Sequence, residues 1–136
     1  MTGTPSREWG SLRDDLEVDV RRVTDRARNL SQARLAAPAG SQPSGADAVR
    51  VVAQQLAEAA QGIAAREDRT EPAWRELPVL SDLAVGNQLA VVGTDLRAEL
   101  TGCDPEATVW ARGARRTAFH VVRDVSEALA TTRRLL

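Results

Sequence analysis

Apolar residues recur at steps of three and four along most of this chain, which is the spacing of one face of an α-helix. The pattern occupies four segments, separated by connections that contain proline and glycine. Ile, Phe and Tyr, which favour strands, are almost absent, since the chain has one Ile, one Phe and no Tyr. The spacing and this composition together predict an all-α protein.

The first predicted helix covers residues 5–36. Thr4 and Pro5 supply a capping residue and a proline at the first helical position. Its end is set by Pro38, which disfavours helical backbone in the residue before it. A long first helix followed by a loop over 37–45 leaves open whether it packs within its own chain or against a partner chain. Its apolar stripe consists of Trp9, Leu12, Leu16, Val20, Val23, Ala27 and Leu30.

The second predicted helix covers residues 46–68, and Ser44 can cap its start together with Asp47. Its stripe consists of Val49, Val52, Leu56, Ala60 and Ile63. The segment 70–72 (Thr-Glu-Pro) predicts a short extra helical turn before the third helix. Pro78 ends that turn because proline lacks the backbone donor.

The third predicted helix covers residues 81–100 and ends before Gly102. The last covers residues 105–134, with Asp104 as its cap and Pro105 at its first position. The stripe of the third helix is Val85, Leu89, Val92, Leu96 and Leu100, and that of the last is Trp110, Ala114, Val121, Val125 and Leu129.

Four amphipathic helices joined by short connections predict an antiparallel, up-down-up-down four-helix bundle. Residues 1–136 are expected to form it as a single domain. In this bundle Trp9 and Trp74 lie at one end and Trp110 lies at the other. The large aromatic side chains would then close a core built from Ala, Val and Leu.

Most classes of enzyme site lack the residues that they need. His120 is the one histidine and Cys103 the one cysteine, which excludes multi-histidine metal sites, cysteine-based zinc sites and an internal disulfide. The sequence has no glycine-rich phosphate loop and no Gly-x-Ser-x-Gly elbow. We therefore expect a non-catalytic protein without catalytic residues, metal or cofactor.

The charge balance bears on partners and location. The formal net charge is −1, so the chain as a whole does not attract nucleic acid or anionic lipid. The longest uncharged run, 83–94, is too short to span a bilayer. These features predict a cytoplasmic protein with no membrane partner. All eighteen basic residues are Arg, a bias towards GC-rich codons that is typical of a bacterial genome.

The last predicted helix carries a basic face. Arg112, Arg116, His120 and Arg123 follow one another at steps of four, four and three, and Arg115 flanks them. This face has three interpretations: a solvated surface whose arginines pair with acids, a binding site for an anionic small molecule, or a docking surface. A role as a DNA-associated regulator is a further alternative, disfavoured because no aromatic residues interleave with the arginines.

The third predicted helix carries a thin stripe of small residues, Gly86, Ala90 and Gly93. Such a face serves either the close packing of a neighbouring helix or the seam of a homodimer. Asn87 and Gln88 lie on the same uncharged segment and need polar partners if they are buried. The hypothesis that we favour is an interaction protein that binds itself or an unidentified protein through the surface of the third or last helix.

Overall fold

The computed structural model describes residues 6–136 and is mostly helical, as predicted, with one small two-stranded sheet that was not. The predicted cap at Thr4 and Pro5 lies outside the described residues. The elements are α1 (Ser6–Asn29), α2 (Gln32–Ala36), α3 (Gly45–Ala64), a 3₁₀ turn (Asp82–Ala84), α4 (Val85–Leu100), β1 (Thr108–Ala111), β2 (Ala114–Thr117) and α5 (Ala118–Leu135).

Serine side chains decide two of the helix starts. Ser31 Oγ accepts a hydrogen bond from the backbone N–H of Arg34 at 3.2 Å, so it caps α2 and divides the predicted first helix in two. Ser44 Oγ accepts from the N–H of Asp47 at 3.0 Å, which is the predicted start of α3. α3 ends at Ala64, four residues earlier than predicted.

The long helices α1, α3, α4 and α5 surround one core, to which each contributes buried side chains. α1 packs against α4 and α5, and α3 packs against the same two helices, so α1 and α3 lie diagonally across the core. The core includes Val23, Leu56, Ile63, Leu89, Leu96 and Leu129. Within residues 6–136 no helix combines the length and the hydropathy needed to cross a membrane.

The helix directions differ from the predicted up-down-up-down order. Near the start of α1 the ring of Trp9 lies 6.3 Å from that of Phe119, and near its end Arg26 donates to the carbonyl of Leu136 at 2.7 Å. α1 therefore runs parallel to α5. Arg50 near the start of α3 pairs with Asp82 just before α4, so α3 and α4 also begin at the same end of the molecule.

The parallel pair α3 and α4 depends on an extended segment, residues 68–81, which we call the strap. It returns along α3 and is held by side chains of that helix. Gln61 Oε1 accepts from the N–H of Arg75 at 3.1 Å, Gln54 Oε1 accepts from the N–H of Leu77 at 2.8 Å, and Arg50 donates to the carbonyl of Leu80 at 2.7 Å.

These bonds explain why the predicted helical turn over 70–74 is wrong. Backbone donors and acceptors of the strap find partners on α3, so this segment does not need helical hydrogen bonds of its own. A single 3₁₀ turn at Asp82–Ala84 precedes α4 instead.

The first part of the predicted last helix, 105–117, is also wrong, because residues 108–117 form a β-hairpin. β1 and β2 are antiparallel, with Val109 opposite Arg116. The two residues between the strands include Gly113, whose φ of 69° is readily adopted by glycine. The hairpin lies on α3, where Gly62 lets the backbone of Trp110 approach the helix closely.

Candidate functional sites

Two residues of the predicted basic face hold the hairpin in place. Arg112 donates to both carboxylate oxygens of Glu58 at 2.7 and 2.9 Å, and its guanidinium lies 5.7 Å from the ring centroid of Trp74. The hydrogen bonds from Arg112 lower the pKa of Glu58, although partial burial acts in the opposite direction. This pair fixes the hairpin turn to the middle of α3.

Arg115, on β2, fixes the hairpin to the residues that follow α3. It donates to the carbonyl oxygens of Arg66 at 2.8 Å and Asp68 at 3.3 Å, and its guanidinium lies 4.4 Å from the ring centroid of Trp110. Arg112 and Arg115 therefore do not share a helical face with the rest of the set. The two tryptophans predicted at opposite ends, Trp74 and Trp110, line the same groove.

The structure does bring Arg116, His120 and Arg123 together, at the junction of β2 and α5. Arg116 Nη1 lies 3.1 Å from His120 Nε2, and Arg123 Nη2 lies 3.3 Å from His120 Nδ1. Asp124 joins them, with Oδ2 at 3.1 Å from His120 Nε2. Sequence reasoning missed Asp124, although its position four residues after His120 on a helix is a usable signal. We call these four residues the arginine–histidine cluster.

A groove of about 200 Å³ opens beside this cluster, between α3, the hairpin and α5. Arg116 and Asp124 of the cluster line it, as do the buried side chains of Ala59 and Val125. Val121, Trp74, Trp110 and Ala111 form the rest of the apolar lining. Gln55 and the paired Glu58 and Arg112 also line it. The groove therefore combines an apolar lining with one internal ion pair, and Arg116 and Asp124 connect it to the cluster.

The glycine stripe of α4 packs within the chain. A Cβ at Gly86 would lie 3.1 to 3.5 Å from atoms of Arg28, Thr24 and Ala27, and one at Gly93 would lie 2.6 Å from Val20. Because α1 covers both glycines, this face serves helix packing and offers no surface for a dimer seam. Half-buried Ala90 lies between them in the sequence.

Asn87 and Gln88 both have polar partners. Asn87 is exposed, and its Oδ1 accepts from Arg28 Nε at 2.8 Å. Gln88 is half-buried and donates to the carbonyl of Pro78 at 2.9 Å, which fastens the strap to α4. These two residues therefore connect α4 to its neighbours, Asn87 to α1 and Gln88 to the strap.

A second candidate site is an apolar surface formed by α3, the end of the strap and the outer face of α4. Val51 and Val79 line one groove together with Gln88, and Val91 follows Gln88 by one helical turn. Leu80 and Leu83 follow Val79 in the chain. We call Val51, Val79, Leu80, Leu83 and Val91 the apolar surface; all five side chains are exposed.

No family model, curated protein or solved structure matches this chain. In the described part of the chain, no group of three or more His, Cys, Asp and Glu residues is placed to hold a metal ion. Cys103 is buried, and this burial raises the pKa of its thiol, which disfavours the reactive thiolate. The candidate functional sites are therefore the arginine–histidine cluster with the groove beside it, and the apolar surface.

Proposed function

We propose that this protein is a non-catalytic interaction protein that self-associates through the apolar surface. The observation that carries this proposal is the clustering of exposed hydrophobic side chains. Seven large hydrophobic residues are exposed within residues 6–136, and five of them form the apolar surface. Val79, Leu83 and Val91 are 85%, 63% and 60% exposed. Contiguous apolar patches on soluble proteins commonly mark interaction sites.

The charge pattern favours a second copy of this chain as the partner. No charged residue lies between Asp82 and Asp95, a range that contains both Leu83 and Val91. A twofold dimer places the same surface on both sides of the interface, so a charged surface would repel its copy and an uncharged one would not. Two charged residues, Arg50 and Glu76, line the groove of Val51 and Val79, and both are paired within the chain. Arg50 lies 2.7 Å from Asp82, and Glu76 lies 3.7 Å from Arg112.

Burial of Val91 gives a scale for the effect of one residue. Covering a side chain that is 60% exposed contributes about 1 kcal/mol, from the usual value of ~1.5–3 kcal/mol for a full valine or leucine. In a twofold dimer each substitution acts twice, so the loss of this contact costs about 2 kcal/mol. That cost corresponds to a roughly thirtyfold rise in the dissociation constant.

The test is the mass of the protein in solution, measured by sedimentation over a hundredfold range of concentration. We expect the mass to rise with concentration for the wild type, and the rise to be lost in Val91→Glu. Val18→Glu is the matched control, since Val18 is an exposed valine on α1, outside the apolar surface. A wild-type protein that stays monomeric up to millimolar concentration contradicts the proposal. So does a Val18→Glu variant that dissociates as readily as Val91→Glu.

A further inference from the structure

The arginine–histidine cluster has more hydrogen-bond donors than acceptors. Arg116 and Arg123 each direct a guanidinium nitrogen at the ring of His120, from opposite edges of the imidazole. A neutral imidazole carries a hydrogen on one nitrogen and a lone pair on the other, so it can accept from only one of them. The two contacts cannot both be hydrogen bonds.

Each protonation state of His120 leaves a guanidinium without an acceptor in the cluster. If the hydrogen is on Nε2, the ring donates to Asp124 and accepts from Arg123, and Arg116 has no acceptor. If the hydrogen is on Nδ1, the ring accepts from Arg116 through Nε2, and Arg123 faces an N–H and has no acceptor. The carboxylate of Asp124 then faces the lone pair of Nε2. If both nitrogens carry hydrogens, neither arginine has an acceptor on the ring.

We propose that the arginine–histidine cluster, together with the groove beside it, binds a small phosphate ester. A phosphate group has several acceptor oxygens and up to two negative charges, so it can accept from Arg116 and Arg123 together. Guanidinium groups recognise phosphate through paired N–H donors, which an imidazole acceptor cannot satisfy. This site shares no residue with the apolar surface, so phosphate binding can be tested independently of self-association.

The groove defines the other part of the ligand. Its volume of about 200 Å³ suits a group of about the size of a benzene ring, which is known to occupy apolar protein cavities of ~150 Å³. Arg116 lines this groove and also belongs to the cluster, so it connects the part of the site that would hold the phosphate to the part that would hold the apolar group. The ligand class is therefore an aryl or similarly small apolar phosphate monoester.

Asp124 opposes anion binding and gives the proposal its sharpest test. Its carboxylate lies 3.1 Å from His120 Nε2 and carries a negative charge next to the expected phosphate. Removing that charge should strengthen binding, whereas removing a guanidinium should weaken it. A gain of affinity cannot be produced by a variant that merely misfolds.

The experiment follows backbone and side-chain NMR signals while phenyl phosphate is added to the full chain at constant ionic strength. We expect saturable shifts at His120, Arg116, Arg123 and Val121. Arg116→Gln and Arg123→Gln should each weaken binding about tenfold, the usual effect of losing one charged hydrogen bond. Asp124→Asn should tighten it roughly two- to fivefold, as for loss of one exposed charge interaction. Arg134→Gln, at the far end of α5, should leave affinity unchanged.

Inorganic phosphate is the comparison probe, and it should shift the same cluster signals with weaker affinity. If it binds as tightly as phenyl phosphate, the groove takes no part and the assignment of an ester is wrong. Absence of saturable shifts with phenyl phosphate overturns the site as a whole. Equal weakening by Arg134→Gln also overturns it, because the effect would then reflect net charge alone.

Discussion

At Gly62 the backbone of β1 passes so close to α3 that a Cβ would overlap the carbonyl oxygen of Trp110. The neighbouring atoms belong to backbone and cannot rotate away, so Gly62→Ala must move the hairpin off the helix. We expect it to lower the free energy of unfolding by about 3 kcal/mol, the upper part of the usual range for overpacking. Urea denaturation measures this change.

Gly10→Ala is the matched control for that prediction. Gly10 lies inside α1, and a Cβ there would meet no atom within 4 Å. The same substitution should therefore stabilise the protein by roughly 0.5–1 kcal/mol, because alanine loses less backbone entropy than glycine in a helix. Equal effects of the two variants would show that β1 does not rest against Gly62.

The lowered pKa of Glu58 allows a prediction of how the stability of the protein changes in acid. Its pKa is lowered in the folded protein, mainly by the hydrogen bonds from Arg112, so the unfolded chain takes up a proton at higher pH than the folded protein. This contribution to stability is complete above the ordinary pKa of about 4.5 and is lost as the pH falls through the lower folded value. Unfolding measured from pH 6 to pH 3 should show a shallower decline for Glu58→Gln. An unchanged slope would contradict it.

The strap depends on one glutamine for two of its backbone hydrogen bonds. Gln54 accepts from the N–H of Leu77 at 2.8 Å and donates to the carbonyl of Arg75 at 3.0 Å. At about 1 kcal/mol for each bond, Gln54→Ala should make local opening of the strap easier by about 2 kcal/mol. Trypsin cleavage after Arg75 should then become roughly thirtyfold faster. Gln55→Ala, one residue along and exposed, is the control and should leave cleavage unchanged.

How far the sequence predicts each element depends on where its hydrogen bonds are made. The predictions of α3 and α4 were close, because the bonds of a helix are local and its apolar stripe repeats along the chain. The hairpin was missed because Arg112, Arg116, His120 and Arg123 follow one another at helical steps even though two of them belong to a turn and a strand. The run Thr108–Trp110 was the available signal for a strand, and Gly113 was the available signal for a turn.

The path of the chain between helices was the least predictable feature of the whole molecule. Up-down-up-down order assumes short connections, but the strap returns the chain along α3 and makes α4 parallel to it. The strap has no apolar repeat, and its partners on the neighbouring helices are Arg50, Gln54, Gln61 and Gln88. These are ordinary helix residues when the sequence is considered alone. The candidate sites differ for the same reason: the cluster at His120 was predicted in part because three of its residues lie close together in the sequence, whereas the apolar surface depends on where the strap lies.

Self-association makes a last prediction for the molecule as a whole, since a dimer that forms only in the folded state couples stability to concentration. A chain of 136 residues has an unfolding entropy of about 0.29 kcal/mol/K. At concentrations above the dissociation constant, a hundredfold rise in concentration stabilises each dimer by ~2.7 kcal/mol. Divided by the unfolding entropy of its two chains, this raises Tm by up to about 5 °C. Val91→Glu should remove this dependence and Val18→Glu should keep it. Calorimetry at several concentrations measures both, and a wild-type Tm that does not change with concentration would contradict the dimer.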